Sequence, residues 1–341
     1  MKIQFDQVIG TGGIGSGILF ESNNNRSLNR TESRMAELGT AKDYCKQHII
    51  LHYVAKVLSK ELSVYAIGMV GNDDQGVRLI EEMQSAGIIT KMVTSTVFHP
   101  TMFSVCLQYP DKCVCNITTA NSACNFVTPQ YILQQLKECQ LQINERTLVL
   151  AVPEVPVDAR LTLLKEGALH SAFCVASLLC DEVQAFKNGG GFEICDLLSV
   201  NEEEAKAIAL VSSDNTEKIV ERCGHYLYKI NPEIKLIVTC GKEGSYSFHR
   251  GNIEHILAPK VNPISTAGAG DAFIAGVICG LSMGFPFQRT EGMHSKAIRA
   301  TDFGVFFAGK SMESEHTISE EIDGNLVKEF LGKEMMLTDG L

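Results

Sequence analysis

Ser265-Thr266-Ala267-Gly268-Ala269-Gly270-Asp271 runs directly into the apolar stretch AFIAGVICGLSMG at 272–284, and the join between the two is the most informative point in the chain. Small residues let a backbone approach an anion closely, and a helix that begins here presents unpaired N–H groups and its positive dipole end outward. Such a helix start is a ready phosphate site, with Thr266 just ahead of it. Asp271 falls in the first turn, where a carboxylate can take a proton from an attacking hydroxyl. A base beside an anion hole points to phosphoryl transfer. The plainer alternative is a tight connection with Asp271 as an N-terminal cap.

Upstream, apolar runs alternate with longer helical patterns, the signature of βαβ units and a mainly parallel sheet. Strands are expected at Ile3 to Ile9, Leu62 to Ile67, Thr147 to Val152, Ala172 to Ser177, Leu197 to Val200 and Ile234 to Thr239. Helical spacing covers Lys42 to Ser59, Asp74 to Ala86, Pro156 to Glu166, Glu202 to Leu210 and Thr216 to Tyr226. Two segments break this rhythm. Glu21 to Arg34 is polar and rich in Asn and Ser, and Met102 to Thr119 reads as a hairpin turning at Pro110, Asp111 and Lys112. Together they suggest a small β-rich lid on a single α/β body. Past Met312 the chain is polar and then weakly helical, consistent with a final surface helix.

Three further loops follow predicted strands. Asn201-Glu202-Glu203-Glu204 opens a helix, so Asn201 and Glu204 share one turn and can organise water around Mg²⁺, an ion that keeps several waters and takes few protein ligands. Asn201 as a simple helix cap is the competing explanation. Thr239-Cys240-Gly241-Lys242-Glu243-Gly244 lies beyond a strand's carboxyl end, where ligands of open parallel sheets bind, although an ordinary turn explains it equally well. The third is Gly68-Met69-Val70-Gly71-Asn72-Asp73-Asp74.

With these residues together, the chain resembles the ribokinase-like (PfkB) family of carbohydrate and nucleoside kinases over nearly its whole length. Gly268-Ala269-Gly270-Asp271 is similar to that family's C-terminal signature, which implies an anion hole from Gly268, Ala269 and Gly270 and a catalytic base at Asp271. Asn201 and Glu204 match its N-x-x-E magnesium and phosphate motif; Thr239, Gly241 and Gly244 match its nucleotide-contact turn; Asp302 is placed near the adenine. The resemblance implies ATP and Mg²⁺ as cofactors, a three-layer α/β sandwich, and a β lid from about 11–40 and 91–124 closing over a sugar or related alcohol. It also implies a possible homodimer through the lid. Gly12, Gly13, Gly15, Gly39 and Asp43 fall on the substrate side. There the chain departs from the pattern: Gly15 stands where the family often has a sugar-binding Asp, and Leu38-Gly39-Thr40-Ala41-Lys42-Asp43 replaces a Gly-Gly motif ending in Asn. Ser265 stands where potassium-activated members carry Asp.

Composition narrows the partners. A formal charge of −10 disfavours nonspecific attraction to nucleic acid or anionic membranes, so a small-molecule partner fits better. Twelve cysteines are scattered without C-x-x-C, as expected for reduced thiols. MKIQFDQVIG lacks the features of a secretory signal, and Ala272 to Phe287 is shorter than the ~20 residues of a membrane span, so a soluble cytoplasmic protein is expected. Gly10, Gly12 and Gly15 form G-x-G-x-x-G after a strand, the fingerprint of NAD-dependent dehydrogenases, but a helix and then an acidic strand end must follow, and Glu21 to Arg34 offers neither. His48 and His52 share a helical face but lack the adjoining Glu of a zinc protease motif, and packed histidines are the better reading.

Overall fold

Strands that are apolar on both faces must be covered on both faces, and the pleat decides which residues go to which side. The computed structural model describes residues 3–111, 114–212, 215–289 and 297–339. The first half carries β1 (Gln7–Thr11), β2 (Gly15–Glu21), β3 (Glu37–Leu38), β4 (Asp43–Tyr44), α1 (Lys46–Leu58), β5 (Ser63–Gly71), α2 (Asp74–Ser85) and β6 (Ile88–Thr96). Next come β7 (Met102–Gln108), β8 (Val114–Thr118), α3 (Pro129–Glu138), β9 (Thr147–Ala151), α4 (Val157–Leu169), β10 (Phe173–Ser177), α5 (Val183–Asn188) and α6 (Gly191–Ile194). The rest is β11 (Leu197–Asn201), α7 (Glu202–Ala209), α8 (Thr216–Tyr228), β12 (Lys235–Thr239), β13 (Ser245–His249), β14 (Asn252–Ile256), α9 (Ala269–Ser282), α10 (Ala300–Met312) and α11 (Gly324–Asp339).

The large sheet has the order β14-β13-β12-β11-β10-β9-β1-β5-β6. All its pairs from β12 to β6 are parallel, and β13 and β14 add an antiparallel edge. Alternation splits the core in two. Val8, Val64, Leu148, Val175, Leu197 and Ile237 pack with α1, α9 and α10, whereas Ile9, Ile67, Val149, Cys174, Leu198 and Val238 pack with α3, α4, α7 and α8. This is the expected three-layer α/β sandwich. A smaller sheet joins β3-β2-β7-β8, with β4 also paired to β2. Of the hairpin turn expected at Pro110, Asp111 and Lys112, the last lies outside the described residues. No helix among the described residues is long and apolar enough to cross a membrane.

Two boundaries differ from expectation for a tertiary reason. The first strand is shifted to Gln7–Thr11 because Gly10 and Thr11 still pair with Ala66 and Ile67 on one side and Leu150 and Ala151 on the other. The glycine pattern therefore leads into β2 rather than a helix, which removes the dinucleotide-binding context. Helix α1 starts at Lys46, not Lys42, because Asp43 and Tyr44 pair with Gly17 and Ser16 of β2. The loop before α2 ties the two sheets together: the Asp73 carboxylate caps Gly76 N–H and also accepts from Thr101 N–H at 2.8 Å and Thr101 Oγ1 at 2.6 Å, just ahead of β7.

His48 and His52 face inward from α1, packed with Tyr44 and each other. Among the described residues no group of three metal-binding side chains forms. Burial pushes their protonation down to about 3 for His48 and about 4 for His52. In the unfolded chain both titrate near 6.5. Because the unfolded state takes the protons first, their contribution to stability is full above about pH 6.5 and is lost as pH falls toward about 4 and then 3. Urea-midpoint measurements between pH 4 and 7 should show a shallower acid loss for His52→Leu than for the parent; equal slopes would place the acid sensitivity elsewhere.

Candidate active site

Helix α9 begins at the carboxyl end of the parallel strands. Gly268 is its N-cap at φ 76°, and a Cβ there would stand 2.8 Å from the Thr317 carbonyl, so the left-handed turn and the close approach both require glycine. The amides of Gly268, Gly270 and Asp271 have no acceptor among the described residues, whereas Ala269 N–H makes a long 3.3 Å bond to the carbonyl of exposed Thr266. Of the three amides expected to form an anion hole, those of Gly268 and Gly270 are unpaired among the described residues together with Asp271's own, while Ala269's is partly engaged.

Asp271 turns into the adjoining cleft, its side chain 16% exposed, and Oδ1 lies 3.4 Å from Lys46 Nζ. Lys46 is the first residue of α1, where a positive charge opposes the helix dipole. Asp271, with Glu154 and Glu204 behind it, holds the ammonium charged against burial and raises its proton affinity. Glu154 follows β9 in the left-handed region at φ 80° and accepts from Lys46 N–H at 3.3 Å. Burial pushes its carboxyl up to about 7 despite the pull of Lys46, and the charge of Asp271 adds to the rise. Sequence reasoning passed over both residues. A carboxylate just beyond the carboxyl end of an apolar strand was the available signal for Glu154, and a lysine in a first helical turn the signal for Lys46.

Lys46, Asp271, Gly268 and Gly270 line a cavity of about 200 Å³ together with Asn201, Glu204 and Thr239. Asn201 Oδ1 accepts from Glu204 N–H at 2.9 Å and Asn201 N–H donates to Glu204 Oε2 at 2.8 Å, a reciprocal cap. The cap and the site are therefore the same residues. Glu204 is raised by burial, opposed by the Asn201 bond and Lys46. Gly241 and Gly244 bound the turn between β12 and β13 and do not line this cavity. Asp302 lines a second cleft of about 560 Å³ with Ile256, Pro259 and Phe306, but its carboxylate is held by Arg299, at 2.6 Å from Nη2 and 2.8 Å from N–H.

The substrate-side residues divide. Gly12 and Gly13 follow β1, and a Cβ on Gly13 would stand 2.5 Å from Glu154 Cβ, so the loop lies directly against that carboxylate. Gly15 begins β2 against Met102, its carbonyl accepting from Cys45 N–H at 3.3 Å. Asp43 faces Ser104 Oγ and Cys106 Sγ, each at 3.5 Å, and burial raises its proton affinity, with a smaller contribution from Asp271. Gly39 stays out on the small sheet, bonded to the Leu19 carbonyl and beside Glu21. Lys46, three residues after Asp43, is the residue that reaches Asp271.

A mostly parallel sheet wrapped by helices, with unpaired amides at a helix start beyond its strands and a second small sheet, defines a ribokinase-like architecture. The family model described as pfkB family carbohydrate kinase matches residues 50–319, and the chain belongs to that family. Fructokinase from Escherichia coli is 36% identical over 90 residues, 26% of this chain and 27% of that protein. Ribokinase from Staphylococcus aureus is 28% identical over 140 residues, covering 39% of this chain and 42% of that protein. The chain thus matches well under half the length of these curated relatives. Ribokinase from Arabidopsis thaliana, solved in complex with ribose and ATP, superposes with a TM-score of 0.71 at 18% identity, over 97% of this chain and 99% of that one.

Glu154 supplies a test of this geometry. Because the folded state holds its proton more tightly than the ordinary 4.5, the native carboxyl loses stability as pH rises from about 4.5 through about 7. The stability difference between Glu154→Gln and the parent should move in the variant's favour across that window and stay flat above it, read from urea midpoints. A pH-independent difference would mean that the carboxyl is not enclosed as described.

Proposed function

We propose that the protein transfers the γ-phosphoryl group of ATP to a hydroxyl of a sugar or sugar-like small molecule. The observation that carries this reading is the placement of the Asp271 carboxylate next to the unpaired amides of Gly268 and Gly270, in one cavity with Asn201 and Glu204. Triphosphate lies along that cavity toward the start of α9, and the acceptor lies between Asp271 and the small sheet. Asp271 accepts the hydroxyl proton as the oxygen attacks phosphorus in line. The free main-chain donors hold the charge that develops on the phosphoryl oxygens. Glu204 and Asn201, a buried acid and its capping amide, suit Mg²⁺ held through water, an ion that would neutralise phosphate charge when bound.

On this reading the small sheet is the lid. Glu154 and Asp43 are the acceptor's hydrogen-bonding partners, in place of the acid that Gly15 does not provide. The exposed Leu38 and Ile117 on the small sheet support a homodimer formed through it. Acceptor identity is tested by ATP-dependent phosphorylation of a panel of sugars, sugar acids and nucleosides. With the acceptor so found, Asp271→Asn should lower kcat by ~100-fold or more, the usual weight of a general base. Normal turnover by that variant would remove Asp271 as the base, and absence of both turnover and ATP binding in the parent would favour a noncatalytic member of the family.

A further inference from the structure

Lys46 is a poor choice for a purely structural position. It opens α1 with a positive charge at the positive end of the dipole, and α1 carries no acidic residue in its first turn to offset it. Its charge is compensated from across the fold, by Asp271 of α9, 225 residues away, with Glu154 after β9 and Glu204 of α7 behind it. Its side chain remains 34% exposed and lines the same cavity as Gly268, Gly270 and Asn201. The ammonium therefore shares one cavity with the Asp271 carboxylate and the first turn of α9.

We propose that Lys46 is a second catalytic residue, whose positive charge is engaged by Asp271 before the reaction and by the transferring phosphoryl group during it. This rests on the phosphoryl-transfer reading above. In the resting site the pair is neutral, one ammonium against one carboxylate. As the acceptor hydroxyl gives its proton to Asp271, the acceptor oxygen forms its bond to the γ-phosphorus. The bond from that phosphorus to the β–γ bridging oxygen breaks, and its electron pair leaves on ADP. Asp271 has then become a neutral acid, so the ammonium is no longer matched by its partner. The nearest new negative charge is on the phosphoryl oxygens at the start of α9, and Lys46 turns to them. Proton removal and charge stabilisation are in this way coupled through one side chain. A lysine suits the task because its ammonium is a compact charge on a flexible stem.

The test compares Lys46→Gln, Lys46→Met and Lys46→Arg with the parent, using the acceptor identified in the panel and melting curves to confirm folding. Glutamine keeps a hydrogen bond to Asp271 without the charge, so it separates positioning from electrostatics. We expect kcat to fall by ~100-fold in the Gln and Met variants, the scale of losing one transition-state donor, with KM for ATP nearly unchanged. Arginine should restore part of the loss. Affinity for ADP with aluminium fluoride, a phosphoryl-like anion, should fall far more than affinity for ADP alone. Full turnover by Lys46→Gln alongside a dead Asp271→Asn would overturn this inference and leave the phosphoryl-transfer reading intact. A parent enzyme inactive on every acceptor, or an active Asp271→Asn, would sink that reading and the inference with it. If the Gln and Met variants weaken ADP and ADP with aluminium fluoride equally, Lys46 is structural and the proposal fails.

Discussion

Main-chain donors without partners at the start of α9 set the terms for everything around them. An N–H group left unpaired inside a protein costs ~1–3 kcal/mol, so these groups must open to a cavity rather than to the core. Gly268 makes that possible by turning the chain left-handed while packed on Thr317. The parallel order of β9 to β12 then brings their carboxyl ends to the same edge, which delivers Glu154, Asn201 and Thr239 to one rim. Behind the rim, α9 is buried along nearly its whole length between the sheet, α1 and α10, so its first turn has little freedom to shift.

Charge balance is the second constraint. Asp43, Glu154 and Glu204 each feel the charge of Asp271, and all three are held toward their neutral forms mainly by burial. One ammonium offsets this group, and it belongs to the residue at which α1 begins. Carboxyls that are reluctant to ionise are good partners for hydroxyls, since a protonated carboxyl donates and an ionised one accepts.

Much of the fold was readable in advance because its signals are local. Apolar runs of four to seven residues separated by helical spacing report a parallel sheet without knowledge of any contact, and the small residues before Asp271 report a helix start that faces outward. Asn201 and Glu204 were legible for the same reason, being three residues apart on one turn. What escaped was non-local. Lys46 lay hidden because Asp43 and Tyr44 look helical in isolation and become a strand only when β2 lies beside them. Glu154 gains its meaning from Gly13 and Lys46, which arrive from far upstream. Asp302 was placed by resemblance, and its local partner Arg299, three residues away, takes up the carboxylate.

Thr317, packed against Gly268, is also bonded to the root of the small sheet: its Oγ1 accepts from Tyr44 N–H at 3.1 Å, and its own N–H donates to the Lys42 carbonyl at 3.1 Å. One threonine thus serves as a common hinge pin for two parts that the chain places more than two hundred residues apart. A displacement of the small sheet about its root would therefore be felt at the Gly268 turn, because both are tied to the same threonine.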